Sequence, residues 1–291
     1  MKKIGFIGTG VMGASMAKHL RNAGHEVWVY TRTPEKAAPL LEAGCHWAES
    51  PAVIAHNTDV IATMVGYPHD VYEVYLGEQG LAENGRAGQF WVDFTTSSPQ
   101  LAIQIAEKGR SLGIGVLDAP VSGGDVGARE ARLSIMCGGS SDDFDALLPM
   151  LNVVGQNIIL HGEAGAGQHA KMCNQITICG LMMSCMEALL YAKSAGLDPE
   201  KVLESVGSGA ATSWTLQNLM PRVLQGNLNP GFFVRHFIKD MDIALAEAHK
   251  RGLHLPALEM ARDLYGKLAD QGYDTLGTHA LWLIYAEQLG A

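Results

Sequence analysis

The chain has 291 residues, 47% of them hydrophobic and 18% charged. That is an ordinary globular composition, which excludes a disordered tail and suffices for one large or two moderate domains. A net charge of −9 without clustered Lys or Arg excludes a nucleic-acid backbone as partner, so an anionic ligand must rely on a local cationic pocket.

Met1-Lys2-Lys3 runs straight into a short apolar segment of strand type, Lys3-Ile4-Gly5-Phe6-Ile7, so no cleavable signal and a cytoplasmic location are expected. Gly8-Thr9-Gly10-Val11-Met12-Gly13 follows, and Ser15-Met16-Ala17-Lys18-His19-Leu20 then repeats apolar residues at helical spacing. The glycines therefore lie at a strand-to-helix turn. Gly8 permits the tight turn, Gly10 lets the backbone approach a pyrophosphate, and Gly13 brings helix and strand close, with the helix N-terminus facing the phosphates. A second strand, Glu26-Val27-Trp28-Val29-Tyr30, arrives at the spacing of a βαβ unit, which favours a dinucleotide site over a plain glycine turn. NAD sites usually carry an acidic residue at the end of that strand, but here Thr31-Arg32-Thr33 stands there. A guanidinium can hold the 2′-phosphate that a carboxylate would repel, so NADP(H) is favoured over NAD(H).

A helix is predicted from about Pro34, and strands at Asp59–Thr63, Phe90–Asp93, Gly115–Asp118, Leu133–Cys137 and Asn157–Leu160. Their alternation with helices predicts an α/β fold, a Rossmann-type doubly wound parallel sheet. Beyond Gly162 strand signals stop. One long helical pattern runs from Gln168 to about Lys193, and shorter helices begin near Asp198-Pro199, Thr212, Pro221, His236, Pro256 and Thr278. The expected division is therefore an NADP-binding Rossmann domain over 1–162 and an all-α substrate and oligomerisation domain over 163–291, with the long helix packing on both. Its most apolar stretch, Ile176 to Ala192, is interrupted by Glu187 and falls short of the ~20 residues of a membrane span, so it reads as an interior helix. Being apolar on all sides, it favours subunit packing in a homodimer or homotetramer. The five cysteines form no CxxC pair, and Cys173, Cys179 and Cys185 spread around this helix, so they read as reduced core residues with no metal.

Ligands of open α/β sheets bind beyond the carboxyl ends of the strands, which singles out the loops Met64-Val65-Gly66, Phe94 to Pro99, and Ala119 to Gly124. The Ser122 hydroxyl with the unobstructed amides of Gly123 and Gly124 suits a substrate carboxylate. On the long helix Lys171 lies one turn from Asn174 and Gln175 and heads an apolar stripe. A lysine held in an apolar cleft moves toward a neutral pKa and can exchange a proton with a carbinol oxygen during hydride transfer. Asn174 would orient that lysine or the substrate hydroxyl. Lys239-Asp240 taken alone reads as a surface pair. His249 and His254 flank Gly252 and make no metal pair on one helical face.

These residues together resemble the β-hydroxyacid dehydrogenases, the group of 3-hydroxyisobutyrate dehydrogenase and tartronate semialdehyde reductase. Phe6 to Gly13 with Met16-Ala17 is similar to the family's cofactor signature, and Asp118-Ala119-Pro120-Val121-Ser122-Gly123-Gly124 to its substrate loop. Gly167 through Lys171 to Asn174 is similar to its catalytic helix, and His236-Phe237-Ile238-Lys239-Asp240 to its C-terminal motif. The resemblance implies Lys171 as the catalytic residue with Asn174 as its partner, and Ser122, Gly123 and Gly124 as carboxylate binders. Gln175, where many members carry a second Asn, is placed with the substrate binders. The cofactor set comprises Gly8, Gly10, Val11, Met12, Gly13, Thr31, Arg32, Thr33, Met64 and Val65, and the resemblance adds Thr96 and Lys239. The implied reaction interconverts a small 3-hydroxy acid and its semialdehyde. Imine reduction on the same scaffold and a non-catalytic nucleotide-binding module are the alternatives; Lys171 speaks against both.

Overall fold

A computed structural model describes residues 2–290. The chain divides into two compact units, Met1–Lys171 and Met172–Ala291.

In the first unit six parallel strands make one sheet in the order β3-β2-β1-β4-β5-β6. They are β1 (Lys3–Ile7), β2 (Glu26–Tyr30), β3 (His46–Trp47), β4 (Val60–Thr63), β5 (Phe90–Asp93) and β6 (Gly115–Asp118). Successive residues of a strand face opposite sides, and the two sides feed separate cores. Ile4, Phe6, Val60, Ala62, Val92 and Leu117 face one core together with Met16 and Leu20 of α1 (Val11–Asn22). Ile7, Ile61, Trp91 and Val116 face the other, with Ile54 of α3 (Pro51–Asn57), Tyr75 of α4 (Pro68–Leu76) and Ile105 of α6 (Pro99–Ser111). Both faces of the sheet are therefore covered, as a doubly wound sheet requires. The strand order reverses direction between β1 and β4, so the crevice beyond their carboxyl ends is the topological switch point where such sheets bind ligands.

Two of the predicted strands do not extend this sheet. β8 (Leu133–Cys137) and β9 (Gly155–Leu160) form a second sheet with β7 (Val121–Ser122), which runs antiparallel to β8. Just past β6 the chain pairs antiparallel with β8 in one register: Asp118 bridges Gly138, and the Met136 N–H donates to the Pro120 carbonyl at 2.9 Å. The helix expected from Pro34 is only a 3₁₀ turn, Pro34–Ala37, followed by the short α2 (Ala38–Glu42). Helices not singled out beforehand carry ordinary start signals. Pro68 and Pro99 open α4 and α6, and the Ser140 hydroxyl accepts from the Asp143 N–H at 3.1 Å to cap α8 (Ser141–Leu151).

A 29-residue helix, α9 (Ala166–Ser194), runs continuously through the division at Lys171. It is longer than its apolar stretch suggested, and by length and composition alone it could cross a membrane. Met172, Cys179, Met182, Met186 and Leu189 instead join Phe237, Met241, Leu258 and Tyr265 in the single core of the second unit, as expected of an interior helix. Cys173 is exposed whereas Cys45, Cys137, Cys179 and Cys185 are buried, so the core assignment fails for that one thiol. One residue turns a helix by about 100°, which carries position 173 off the face of Met172. The remaining elements of this unit are helical, chiefly α10 (Pro199–Gly207), α11 (Trp214–Asn218), α12 (Met220–Leu224), α13 (Val234–Lys250) and α14 (Pro256–Asp270).

Candidate active site

The glycine turn is built by backbone contact. Gly8 has φ +98°, and a Cβ there would lie 2.2 Å from the Met64 carbonyl oxygen; a Cβ on Gly13 would lie 2.0 Å from the Gly8 carbonyl oxygen. Gly10 differs, because a Cβ there meets nothing. It sits at the N-cap of α1 without a side-chain cap, no acidic residue occupies the first turn, and Val11 beside it is 60% exposed. The first N–H groups of a helix lack intrahelical acceptors and attract anions. The Thr9 hydroxyl in the same turn is buried without a hydrogen-bond partner. Open approach, uncapped amides and an orphaned hydroxyl fit the pyrophosphate of a dinucleotide.

At the end of β2, Thr31 is half-buried and Thr33 exposed. Arg32 is 77% exposed and its Nη1 lies 2.8 Å from Oδ1 of the buried Asp70. Asp70 is the third residue of α4, and its other oxygen accepts from the Tyr67 N–H at 3.1 Å. The guanidinium is thus steered by a carboxylate that is itself held by a helix start.

The loops after β4 and β5 are stitched together. The Val65 N–H donates to the Thr95 hydroxyl at 3.0 Å, and the Thr95 N–H to Asp93 Oδ1 at 3.0 Å. Met64 and Thr96 lie half-buried in these loops. The Gln168 side chain continues the stitching, donating to the Thr95 carbonyl at 2.8 Å and accepting from the Ser97 N–H at 2.9 Å.

Asp118, at the carboxyl end of β6, accepts from the N–H groups of Gly165 at 2.7 Å and Gln168 at 2.8 Å. A carboxylate at the head of α9 satisfies amides that the helix cannot. Burial pushes its pKa up to about 6, against those two hydrogen bonds, which favour the ionised form. Asp118 and Gln168 together fix the first turn of α9 to the ends of β5 and β6. Lys171 follows in the next turn and is only 6% exposed.

Ser122 is half-buried in β7. Gly123 and Gly124 both adopt left-handed backbone, φ +130° and +62°, where a side chain would be strained. A Cβ on Gly124 would meet nothing, so its backbone is open to approach.

In the second unit the predicted surface pair turns inward, Lys239 half-buried and Asp240 buried: Lys239 Nζ lies 2.8 Å from Asp240 Oδ1, with side-chain exposures of 12% and 2%. Both residues lie on α13, and Asp240 points into the unit's interior because it shares a helix face with Phe237 and Ala244. Asp240 Oδ2 accepts from Gln175 Nε2 at 2.6 Å, and Gln175 Oε1 accepts from Asn174 Nδ2 at 2.7 Å. Trp214 is 56% exposed, and Phe233 packs edge-on against His236.

The first unit therefore gathers Gly8, Gly10, Thr31, Arg32, Thr33, Met64, Val65 and Thr96 on the carboxyl-end loops of β1, β2, β4 and β5, and Val11, Met12 and Gly13 in the first turn of α1. The second joins Asn174, Gln175 and Lys239 through Asp240. Asp70, Thr95, the anchoring role of Asp118, Gln168 and the contact of Asp240 with Gln175 were not singled out from the sequence. Asp118 carried a signal, an acid closing the apolar run Val116-Leu117; the others become visible only through partners distant in sequence.

Residues 3–162 match the NAD binding domain of 6-phosphogluconate dehydrogenase, and residues 165–285 match the NAD-binding family of NADP-dependent 3-hydroxyisobutyrate dehydrogenase. The uncharacterized oxidoreductase YkwC of Bacillus subtilis is 51% identical over 98% of this chain and 99% of its own. The 2-hydroxy-3-oxopropionate reductase of Escherichia coli is 38% identical over 96% and 95%. The crystal structure of 3-hydroxyisobutyrate dehydrogenase from Salmonella typhimurium superposes with a TM-score of 0.88 at 28% identity, covering 98% of this chain and 100% of the other. With its glycine turn, doubly wound sheet and near full-length relatives, the chain belongs to the β-hydroxyacid dehydrogenase family and is an NAD(P)-dependent hydroxyacid dehydrogenase.

Proposed function

We propose that the enzyme interconverts a small 3-hydroxy acid and its semialdehyde with NADP(H), Lys171 exchanging the proton. The observation that carries this assignment is the burial of Lys171, 6% exposed, one turn beyond a helix start held by Asp118 and Gln168. A buried ammonium is costly unless it has work or partners, and a fixed backbone gives proton transfer a defined geometry.

Bound at the glycine turn, the nicotinamide cofactor supplies the hydride acceptor for oxidation and the donor for reduction. Gly8, Gly10, Val11, Met12 and Gly13 would hold its pyrophosphate, Arg32 with Thr31 and Thr33 its 2′-phosphate, and Met64, Val65, Thr96 and Lys239 its remaining contacts. Ser122 and the amides of Gly123 and Gly124 anchor the substrate carboxylate. Lys171 takes the hydroxyl proton as the alcohol is oxidised and returns it to the oxygen as the semialdehyde is reduced. Asn174, one turn along α9, orients the hydroxyl.

A panel of 3-hydroxy acids and semialdehydes assayed with both cofactors identifies the substrate. Lys171→Ala is expected to bind NADP(H) normally while kcat falls by roughly 10² to 10⁴-fold. Lys171→Arg rescues little, since arginine keeps its proton at neutral pH. For alcohol oxidation the wild type gains activity on a basic limb governed by one group, and both variants lose that limb. Near-native kcat with unchanged pH dependence in Lys171→Ala overturns the assignment.

A further inference from the structure

Gln175 is 1% exposed, too deeply buried to serve as a freely accessible substrate ligand, and its two contacts run in one direction. A carboxylate only accepts hydrogen bonds, whereas a carboxamide has one accepting and one donating end. Both oxygens of Asp240 are engaged, one with Lys239 Nζ at 2.8 Å and one with Gln175 Nε2 at 2.6 Å. The amide nitrogen of Gln175 must therefore face Asp240. A flipped amide would set two oxygens against each other in a site that excludes water. Its oxygen then faces Asn174, which must donate through Nδ2, as the 2.7 Å contact records. With Nδ2 held against Gln175, the orientation of the half-exposed Asn174 amide is set, and its carbonyl oxygen, alongside the second N–H of Nδ2, is the acceptor it can offer to an ammonium or a hydroxyl.

We propose that Gln175 is a positioning residue that carries the polarity of Asp240 to Asn174 and so fixes which way the Asn174 amide is turned, and with it where its carbonyl oxygen meets the reaction. This rests on Asn174 acting in the proposed chemistry, and the test separates the two. Gln175→Met keeps length and removes both hydrogen-bonding ends. It is expected to lower kcat about tenfold, the worth of one orienting hydrogen bond, with NADP(H) affinity by fluorescence titration unchanged. In the Asn174→Ala background the same change should cost nothing further, because Gln175 acts only through Asn174.

Gln175→Glu supplies a second arm should the methionine variant fold poorly. Beside Asp240 the new carboxyl holds its proton to higher pH than a free glutamate, and while protonated it still donates to Asp240 and accepts from Asn174. Its kcat relative to wild type should be near unity at about pH 6 and fall toward about pH 8, whereas the ratio for Gln175→Met stays flat. That slope should vanish in the Asn174→Ala background. Equal losses from Gln175→Met in both backgrounds, or a Gln175→Glu ratio independent of pH, overturn the relay while leaving Asn174 in place. Wild-type kcat in Asn174→Ala itself removes Asn174 from the chemistry and the relay with it.

Discussion

At the scale of single residues, the polar side chains that matter are steered by others rather than free to sample solvent. Arg32 is surface-exposed, yet its ion pair with the buried Asp70 limits where the guanidinium reaches. Arg32→Ala is therefore expected to weaken NADP(H) by about 1.5–3 kcal/mol, the worth of a hydrogen bond to a charged group, and NAD(H) far less. Titration of both cofactors against both proteins checks this, and equal losses would show that the 2′-phosphate lies elsewhere. Ser122→Ala should raise KM for acid substrates and leave the cofactor Kd untouched, because only the carboxylate loses a donor. Gly123→Val should cost more, since φ +130° is strained for any side chain and a Cβ would already stand 3.3 Å from Leu133 Cδ2.

At the scale of elements, α9 depends on what holds its first turn. Asp118 has an ordinary pKa of 3.8 in the unfolded chain and about 6 when folded. Between those values the folded protein keeps a proton that the unfolded chain releases. The resulting contribution is fully present below pH 3.8 and is lost as pH rises through about 6, amounting to roughly 3 kcal/mol. Asp118→Asn should flatten that part of the pH dependence of urea midpoints. At neutral pH the variant should also loosen the start of α9, because one carboxamide oxygen cannot replace two carboxylate oxygens for Gly165 and Gln168. Hydrogen exchange at those two amides should then accelerate, and protection unchanged from wild type would remove Asp118 from the anchor.

For the whole molecule, a ligand that binds only the folded chain stabilises it by mass action. NADP(H) at about a hundred times its Kd should add about 2.7 kcal/mol, with Tm rising further with concentration. Arg32→Ala should shift that curve to higher NADP(H) and leave the NAD(H) curve nearly in place. Local sequence was sufficient for the β1 turn and for most strands, because glycine spacing and short apolar runs are short-range signals, and burial on both faces of the sheet is what makes those runs continuous. The constraint on Gly13 is also local, since a Cβ there meets the Gly8 carbonyl oxygen, whereas the one on Gly8 comes from Met64 and so from the fold. Only tertiary structure decided that β8 and β9 form a second sheet, because a strand's pairing partner is chosen by long-range geometry that its own residues do not encode. It alone turned Lys239 inward with Asp240 and tied Asp70 to Arg32, Asp118 to Gln168 and Gln175 to Asp240. These partners stand 38 to 65 residues apart, apart from the adjacent Lys239 and Asp240, whose inward turn is set by the core around α13. A hydrogen bond between distant residues leaves no periodic trace along the chain; it exists only once hydrophobic burial has brought the backbone segments together.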